Sequence, residues 1–268
     1  MRARRSVSNI AWPAADDDAA LDLAAELGFT GVELAPAKVF GPLDAAQARD
    51  IEAYRRRLAE RGLAVPALQA ILFGVADAHL FASEAARERL AARLRRVAEV
   101  AGLLEARACV FGSPPLRDPG DRSPAEAADS AAAFFADLAS VFAAQGSVLA
   151  FEPNPAIYNC RFVTHTREAM ALVRRVSAPG FGLQIDMGTV FANEEDAETL
   201  RDAARLAVHC HASEPGLTPL GTTGRDHDRT GAILAEAGYE GWISVEMKAA
   251  DDWRCALREA ADVMRRSY

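Results

Sequence analysis

Short apolar segments alternate with longer helical segments along the whole chain. Eight segments have the length and apolar character of strands: ARRSVSNIAWP, FTGVEL, LAVPALQ, ARACVFGSP, SVLAFE, FGLQID, ARLAVHCHAS and GWISVEM. The segments between them are rich in Ala, Arg and Glu and have helical periodicity. Strict alternation with crossovers of helix length predicts parallel strands. Eight units of about 30 residues each predict an α/β fold, a single (β/α)8 TIM barrel over residues 1–268.

The helix ends carry signals of their own. We predict helices over residues 16–28, 44–62, 83–102 and 124–145, one beginning near Thr166, and a last one from about Asp251. Gly28 and Gly62 are expected to end the first two helices. Neither GxGxxG nor GxxxxGK[ST] follows a strand, which weakens the Rossmann and P-loop alternatives.

Four strands in the second half of the chain end on polar residues. The segments VLAFE, GLQID, VHCHAS and ISVEM deliver Glu152, Asp186, His211 and Glu246. In each segment the residues one and three places earlier are apolar, so the polar side chains share the opposite face. On neighbouring parallel strands they would converge, and three carboxylates would repel one another without a cation or shared protons. The set predicts a divalent metal site at the carboxyl-terminal face, where barrel enzymes place their chemistry.

The donor types restrict the metal. Carboxylates and imidazole without a thiolate suit Mn²⁺, Mg²⁺ or Co²⁺, and less selectively Zn²⁺. We expect one divalent ion, with Mn²⁺ as the first choice and the other three as alternatives. Such an ion leaves positions for two substrate oxygens, and it stabilises the enediolate that forms when a proton leaves the carbon next to a carbonyl.

Composition limits the partners and the compartment. The chain has 38 acidic and 30 basic residues and a formal charge of -8, which disfavours a nucleic-acid binder. Its four cysteines form no CxxC pair, so neither a zinc ribbon nor a disulfide framework is predicted. No segment has the roughly 18 consecutive apolar residues of a membrane span, and the basic N-terminus lacks a long apolar core. We expect a soluble, cytoplasmic protein without nucleic-acid or membrane partners.

Motifs at all eight strands carry a family resemblance. They are SNIAW, GFTGVELAP, LQAILFG, VFGSP, FEPNP, LQIDMGT, HASEP and GYEGWISVEM, of which the last four are the most specific. The chain resembles the xylose-isomerase-like TIM-barrel superfamily of sugar phosphate isomerases and epimerases, with a metal site most similar to that of the ketose 3-epimerases. The resemblance implies that Glu152, Asp186, His211 and Glu246 bind the metal. It also implies that Glu152 and Glu246 are the catalytic pair, one removing a proton from the substrate carbon and the other returning it.

Three positions depart from the epimerase pattern. The epimerases carry a substrate-binding His three residues after the metal Asp, where this chain has Thr189. They also carry a Glu six residues after the ligand of the fifth strand and an Arg six residues after the His of the seventh. Tyr158 and Leu217 occupy those positions here. The metal chemistry survives these changes, but the known epimerase substrates are put in doubt.

Five further residues are candidate substrate contacts: Trp12, Gln69, Glu214, Arg225 and His227. Trp12 suits the apolar face of a sugar, with core packing as the alternative, and Gln69 suits a sugar hydroxyl. Glu214 follows His211 in HASE. It either contacts the substrate, orients a ligand, or is a loop carboxylate without a role in the site. Arg225 and His227 lie in GTTGRDHD, which either holds a phosphate or carboxylate or is a solvated loop.

Glu33, His209 and Arg117 carry weaker signals. Glu33 ends the second strand and either contacts the substrate or forms an ion pair inside the barrel mouth. His209 lies two residues before His211 on the same face, so we expect a buried, hydrogen-bonded histidine, with a role in orienting a metal ligand as the alternative. Arg117 in SPPLR is a lesser candidate for binding an anion.

Four functions remain after these observations. The first is a divalent-metal-dependent sugar isomerase or epimerase that abstracts a proton next to a carbonyl and acts on a small sugar or polyol derivative. The alternative is a metal-dependent dehydratase of the same superfamily, of inosose or dehydroshikimate type, which expels a β-hydroxyl from the same enediolate. The third is an AP-endonuclease-like DNA repair enzyme, and the fourth is a metal-free ligand-binding barrel. Barrels of this family often pair, so a homo-oligomer is left open.

Overall fold

Eight parallel strands form a barrel that is surrounded by helices. A computed structural model describes residues 3–75 and 77–268. The strands are β1 (Arg4–Ser8), β2 (Gly31–Glu33), β3 (Ala67–Leu68), β4 (Ala108–Phe111), β5 (Val148–Phe151), β6 (Phe181–Asp186), β7 (Ala207–Ser213) and β8 (Trp242–Glu246). Their order in the sheet is β2-β1-β8-β7-β6-β5-β4-β3. Parallel bridges from Gly31 to Ala64 and from Leu34 to Leu68 nearly close the barrel, which confirms the predicted fold.

Ten helices of the described residues surround these strands. They are α1 (Asp17–Glu26), α2 (Pro36–Phe40), α3 (Ala48–Ala59), α4 (Glu84–Leu104), α5 (Pro124–Ala144), α6 (Thr166–Val176), α7 (Met187–Ala192), α8 (Ala197–Ala204), α9 (His227–Glu236) and α10 (Trp253–Ser267). Gly28 and Gly62, which follow α1 and α3, have φ angles of +84° and +72°. A residue with a Cβ rarely adopts such angles, which explains why glycine ends both turns.

Two predicted boundaries differ from the structure. The third strand was expected over residues 63–69, but β3 has only two residues, because Pro66 has no N–H to donate to a sheet. The second helix was expected from residue 44, but α3 begins at Ala48, and the short helix α2 before it was not predicted. Met1, Arg2 and Ala76 lie outside the described residues, and the single domain over 1–268 stays a prediction.

The alternation of side chains along the strands separates two environments. On β5, Leu149 and Phe151 belong to the apolar layer between strands and helices, whereas Ala150 belongs to a small separate cluster with Ala67 and Ala108. The barrel interior also holds buried polar residues, namely Ser6, Glu33, Gln184, His209 and Ser244. The barrel interior is therefore small and polar in character, and a polar site at its carboxyl-terminal end continues this environment.

Helix α5 is long and apolar. By length and composition alone it is the one helix of the described residues that could cross a membrane, with a mean hydropathy of 1.3. Its Phe135, Leu138 and Phe142 are buried, and Phe135 stacks on Phe181 of β6 at 4.8 Å between ring centroids. These contacts are those of a helix that packs on the barrel core.

Candidate metal centre

Four side chains meet at the carboxyl-terminal ends of β5 to β8. Glu152 directly follows β5, Asp186 ends β6, His211 lies near the end of β7 and Glu246 ends β8. The register sets Asp186 opposite His211 and Ser213 opposite Glu246. One ligand atom from each of the four residues lies within 4.8 Å of the other three. The structure therefore brings together all four residues that the strand ends single out.

The imidazole of His211 is held from inside the barrel. Its Nε2 lies 2.9 Å from Oε1 of Glu33, whose Oε2 lies 2.8 Å from Nε2 of His209. Ser244 Oγ lies 3.1 Å from the same nitrogen of His209. All three members of this Glu33–His209–His211 group are buried and also satisfy the spacing of a metal site. Because Glu33 hydrogen-bonds both rings, we interpret it as the group that orients them.

Asp186 is fixed by hydrogen bonds to both of its carboxylate oxygens. Oδ2 accepts from the backbone N and the hydroxyl of Thr189, each at 2.8 Å. Oδ1 accepts from the hydroxyl of Ser213, and that hydroxyl in turn accepts from Gly188 N at 2.8 Å. Thr189 Oγ1 also lies 2.9 Å from the Pro153 carbonyl. The hydroxyl of Thr189 is therefore used inside the protein.

Glu152 is fixed at one oxygen only. Its Oε2 accepts from Asn154 Nδ2 at 2.8 Å, whereas its Oε1 is buried and has no hydrogen-bond partner among the described residues. That oxygen lies 3.2 Å from Nδ1 of His211, which is likewise buried without a hydrogen bond. Oε2 of Glu246 lies 3.1 Å from the same nitrogen. Buried polar atoms without a partner are rare, so these two indicate a cation that contacts both of them.

The charges of the cluster perturb one another. Burial and the charge of Glu152 raise the pKa of Asp186, and burial raises the pKa of Glu246. Burial lowers the pKa of His211, but the carboxylates of Glu246 and Glu33 raise it by more than burial lowers it, so the pKa is well above its usual value. The carboxylates thus carry more negative charge than their surroundings stabilise. The donor set and its unpartnered atoms fit a divalent cation.

The five candidate substrate contacts lie in different environments. Trp12 is buried and donates from Nε1 to Asp17 Oδ1 at 3.0 Å. Gln69 is also buried and donates to Ser8 Oγ at 2.6 Å. Arg225 is exposed, with its guanidinium 5.9 Å from the centre of the Phe191 ring. Of these three side chains, Arg225 alone is charged and exposed to solvent.

Glu214 and His227 belong to one buried hydrogen-bond network. The carboxylate of Glu214 accepts from the backbone N of Gly221 and of Thr223, at 2.6 and 3.0 Å. His227 Nε2 lies 3.3 Å from the same carboxylate, and its Nδ1 lies 2.8 Å from the hydroxyl of Tyr268. The network ties the loop after β7 to the C-terminal residue.

Two features of the site were not found in the sequence. Arg117, a lesser candidate for binding an anion, is instead fully buried and donates to Glu152 and Asn154, and its loop has no periodic pattern that would show this. Tyr158 Oη accepts a hydrogen bond from Gly216 N at 2.6 Å, which joins the loop after β5 to the loop after β7. This contact spans 58 residues and has no local signal in the sequence.

Comparisons with known proteins agree with the fold. Residues 21–267 match the family model described as xylose isomerase-like TIM barrel. No curated protein sequence matches the chain. The apo form of 3-keto-D-glucoside 4-epimerase from E. coli is 19% identical, with 98% of this chain and 99% of that chain covered and a TM-score of 0.77.

Two further solved structures illustrate the same likeness. D-psicose 3-epimerase with D-tagatose from Clostridium cellulolyticum H10 is 15% identical, with 98% of each chain covered and a TM-score of 0.82. The IOLI protein with a bound zinc atom is 18% identical, with 98% of this chain and 96% of that chain covered and a TM-score of 0.76. At these identities the likeness shows a shared fold.

Proposed function

The chain belongs to the xylose isomerase-like TIM-barrel family, and from this premise we propose that it is a divalent-metal-dependent sugar isomerase or epimerase. The observation that carries the proposal is the buried cluster of three carboxylates and one imidazole at the ends of β5 to β8. Solved structures with the same fold include epimerases of sugars. Proton abstraction next to a carbonyl is the chemistry that such a cluster supports best.

Each member of the cluster has a role in the proposal. Glu152, Asp186, His211 and Glu246 hold one divalent ion, His211 through Nδ1. The bound ion supplies positive charge next to the substrate oxygens, where negative charge develops as the proton leaves. The resemblance to the ketose 3-epimerases assigns the two proton transfers to Glu152 and Glu246, which lie 3.2 and 3.1 Å from His211 Nδ1. Asp186, with both oxygens already hydrogen-bonded, keeps a purely ligating role.

The substrate contacts are proposed from the donors and acceptors that each side chain still offers. Gln69 and the exposed Arg225 stay candidate contacts to a small sugar or polyol derivative. Trp12, Glu214 and His227 bond to other parts of the protein, and we propose that they support the loops around the substrate. Among the metals we propose Mn²⁺ first, because the donors are oxygen and imidazole without a thiolate.

The remaining assignments concern partners and compartment. We propose that the protein acts in carbohydrate metabolism in the cytoplasm, without a nucleic-acid or membrane partner. The net charge of -8 and four free cysteines support this assignment. The homo-oligomer left open by the sequence stays a prediction.

The test of the proposal is exchange of a carbon-bound proton. Metal-loaded protein is incubated in deuterated water with a panel of ketoses and keto-sugars, and deuterium at the carbon next to the carbonyl is followed by NMR. We expect exchange with at least one substrate and its loss in Glu152→Gln and Glu246→Gln. Glu26→Gln, at an exposed position on α1, is the matched control. No exchange across the panel by protein that holds its metal contradicts the proposal.

A dehydratase is the second candidate, and Tyr158 favours it. Its hydroxyl oxygen already accepts from Gly216 N, so the hydroxyl proton is available to a leaving group of the substrate. A proton donor next to a metal centre suits the expulsion of a β-hydroxyl as water. Loss of 18 mass units, the mass of one water, separates this reaction from an isomerisation, which conserves mass.

A further inference from the structure

Arg117 is a buried cation next to the metal centre. It ends a short 3-10 helix, Pro114–Arg117, after β4 and has no exposed surface. Its guanidinium carbon lies 4.7 Å from the centre of the Phe151 ring. Among the described residues, its hydrogen-bond partners are a backbone oxygen, an amide oxygen and a thiol, and no carboxylate forms a salt bridge with it. Burial of a charge without a salt bridge is unfavourable; burial lowers the pKa of Arg117, and the charge of Glu152 offsets this only in part. A buried cation at this place therefore indicates that its hydrogen bonds have a function.

The donors of Arg117 converge on the segment that carries Glu152. Nη1 donates to the backbone oxygen of Glu152 at 2.8 Å, and Nη2 donates to Asn154 Oδ1 at 2.7 Å. Nη2 also lies 3.5 Å from Cys160 Sγ. The guanidinium therefore bonds both the main chain at Glu152 and the side chain two residues later.

This arrangement determines the orientation of the Asn154 amide. A guanidinium has donors only, so Asn154 must turn its oxygen to Arg117. Its NH₂ group then faces Glu152 and donates to Oε2 at 2.8 Å. With Oε2 occupied, Oε1 of Glu152 is the oxygen that lies 3.2 Å from His211 Nδ1.

Gly112 at the end of β4 provides the space for this chain of contacts. A Cβ at this position would lie 2.6 Å from Glu152 Oε2 and 3.2 Å from Asn154 Oδ1. Since no other side chain can occupy the place without displacing the carboxylate, the glycine supports the same geometry. The Arg117–Asn154–Glu152 contacts thus depend on residues from both β4 and β5 loops.

We propose that Arg117 is a positioning residue of the metal centre, which acts through Asn154 and presets Oε1 of Glu152 as the ligand atom. The inference rests on the proposed function, because it needs a metal at the cluster. Replacement of groups that orient a metal ligand typically weakens metal binding by about 10 to 100-fold.

The test measures Mn²⁺ binding without reference to catalysis. Metal-free wild type, Arg117→Lys, Asn154→Leu and the double variant are titrated with Mn²⁺ by calorimetry, and the visible spectrum of bound Co²⁺ reports the coordination. Lysine keeps the charge but cannot bond both acceptors in a fork. We expect each single variant to raise the Kd by about tenfold or more and to change the Co²⁺ spectrum. The double variant should have about the same Kd as the single variant that binds Mn²⁺ less tightly, because both substitutions break the same Arg117–Asn154–Glu152 contacts.

Controls separate positioning from loss of fold. Arg122→Lys replaces an exposed arginine of the same loop and should leave the Kd and the spectrum unchanged. Thermal melts show whether each variant is folded, and if Arg117→Lys is not, Asn154→Leu and Gly112→Ala test the same contacts. Folded variants with the wild-type Kd and spectrum overturn the positioning role while the metal centre stands. A wild type that binds neither ion overturns the metal centre and this inference together.

Discussion

His211 Nε2 and Glu33 Oε1 lie 2.9 Å apart inside the barrel, although 178 positions separate them in the sequence. Glu33 is buried, and its two histidine partners lower its pKa despite the opposing effect of burial. A carboxylate on Nε2 keeps a ring hydrogen on that nitrogen, so the proton that His211 loses when a metal binds is the one on Nδ1. Glu33 thereby determines which nitrogen of His211 faces Glu152 and Glu246.

Replacement of Glu33 by glutamine tests this role. Glutamine offers one acceptor oxygen in place of two, so it cannot accept from His209 and His211 in the same way. We expect Glu33→Gln to raise the Kd for Mn²⁺ by about 10 to 100-fold, measured by calorimetry. The exposed Glu26→Gln should bind as the wild type does. An unchanged Kd in folded Glu33→Gln would show that His211 does not need this partner.

Removal of the charge of Glu246 should separate apo stability from metal binding. Burial raises its folded pKa above the unfolded value, so its contribution to the stability of the metal-free protein decreases as pH rises through this interval. At pH 8 metal-free Glu246→Gln should therefore melt no lower than the wild type.

The same variant should lose the stabilisation by metal. Mn²⁺ at 100 times its Kd should stabilise the wild type by about 2.7 kcal/mol, a rise in Tm of roughly 5 to 11 °C. Glu246→Gln should show little of this rise, and a chelator should reverse it in the wild type. The Tm values are measured by scanning calorimetry. An equal rise in Tm in both proteins contradicts the ligand assignment.

The sequence predicts those parts of the site that depend on local periodicity. Each of the four predicted metal ligands lies at or near the end of a strand, and side chains along a strand point alternately to its two faces. The alternation and the ends of the apolar runs therefore identify Glu152, Asp186, His211 and Glu246. Contacts between separate loops follow no such rule. Arg117 bonds Asn154 across 37 positions, and only the packing of the β4 and β5 loops brings them together.

Short elements were missed for a related reason. Helix α2 has five residues, PAKVF, which is too short for a helical period to appear. The third strand was overestimated because an apolar run around Pro66 resembles a strand even where hydrogen bonding stops. The fold itself was predictable, since it depends on eight repeated units rather than on any one boundary.

His227 should make the protein less stable in mild acid. Its ring is almost completely buried, and burial lowers its pKa more than Glu214 raises it. The unfolded chain then binds the additional proton, so this contribution is complete above about pH 6.5 and is lost as pH falls toward the folded pKa, by at most about 1.4 kcal/mol per pH unit. Urea denaturation at pH 7.5 and 5.5 should show a smaller pH effect in His227→Gln than in the wild type. His165→Gln, at an exposed position, should leave the pH effect as it is; equal pH effects in all three proteins exclude His227 as the cause.

Tyr158 should act on the substrate rather than on the metal. Burial is the main cause that raises the pKa of its hydroxyl, and Asp186, Glu246 and Glu152 add to it, so the proton stays on the oxygen beside the cluster. Because that oxygen accepts from Gly216 N, the hydroxyl can donate to a substrate oxygen. We expect Tyr158→Phe to lower kcat/KM by about tenfold, which corresponds to ~1.4 kcal/mol, while the Kd for Mn²⁺ stays unchanged. Thr189→Val should instead weaken Mn²⁺ binding, because the hydroxyl of Thr189 bonds Asp186 at 2.8 Å. If Tyr158→Phe weakens Mn²⁺ binding as much as Thr189→Val does, its hydroxyl supports the metal ligands and the assignment to the substrate is wrong.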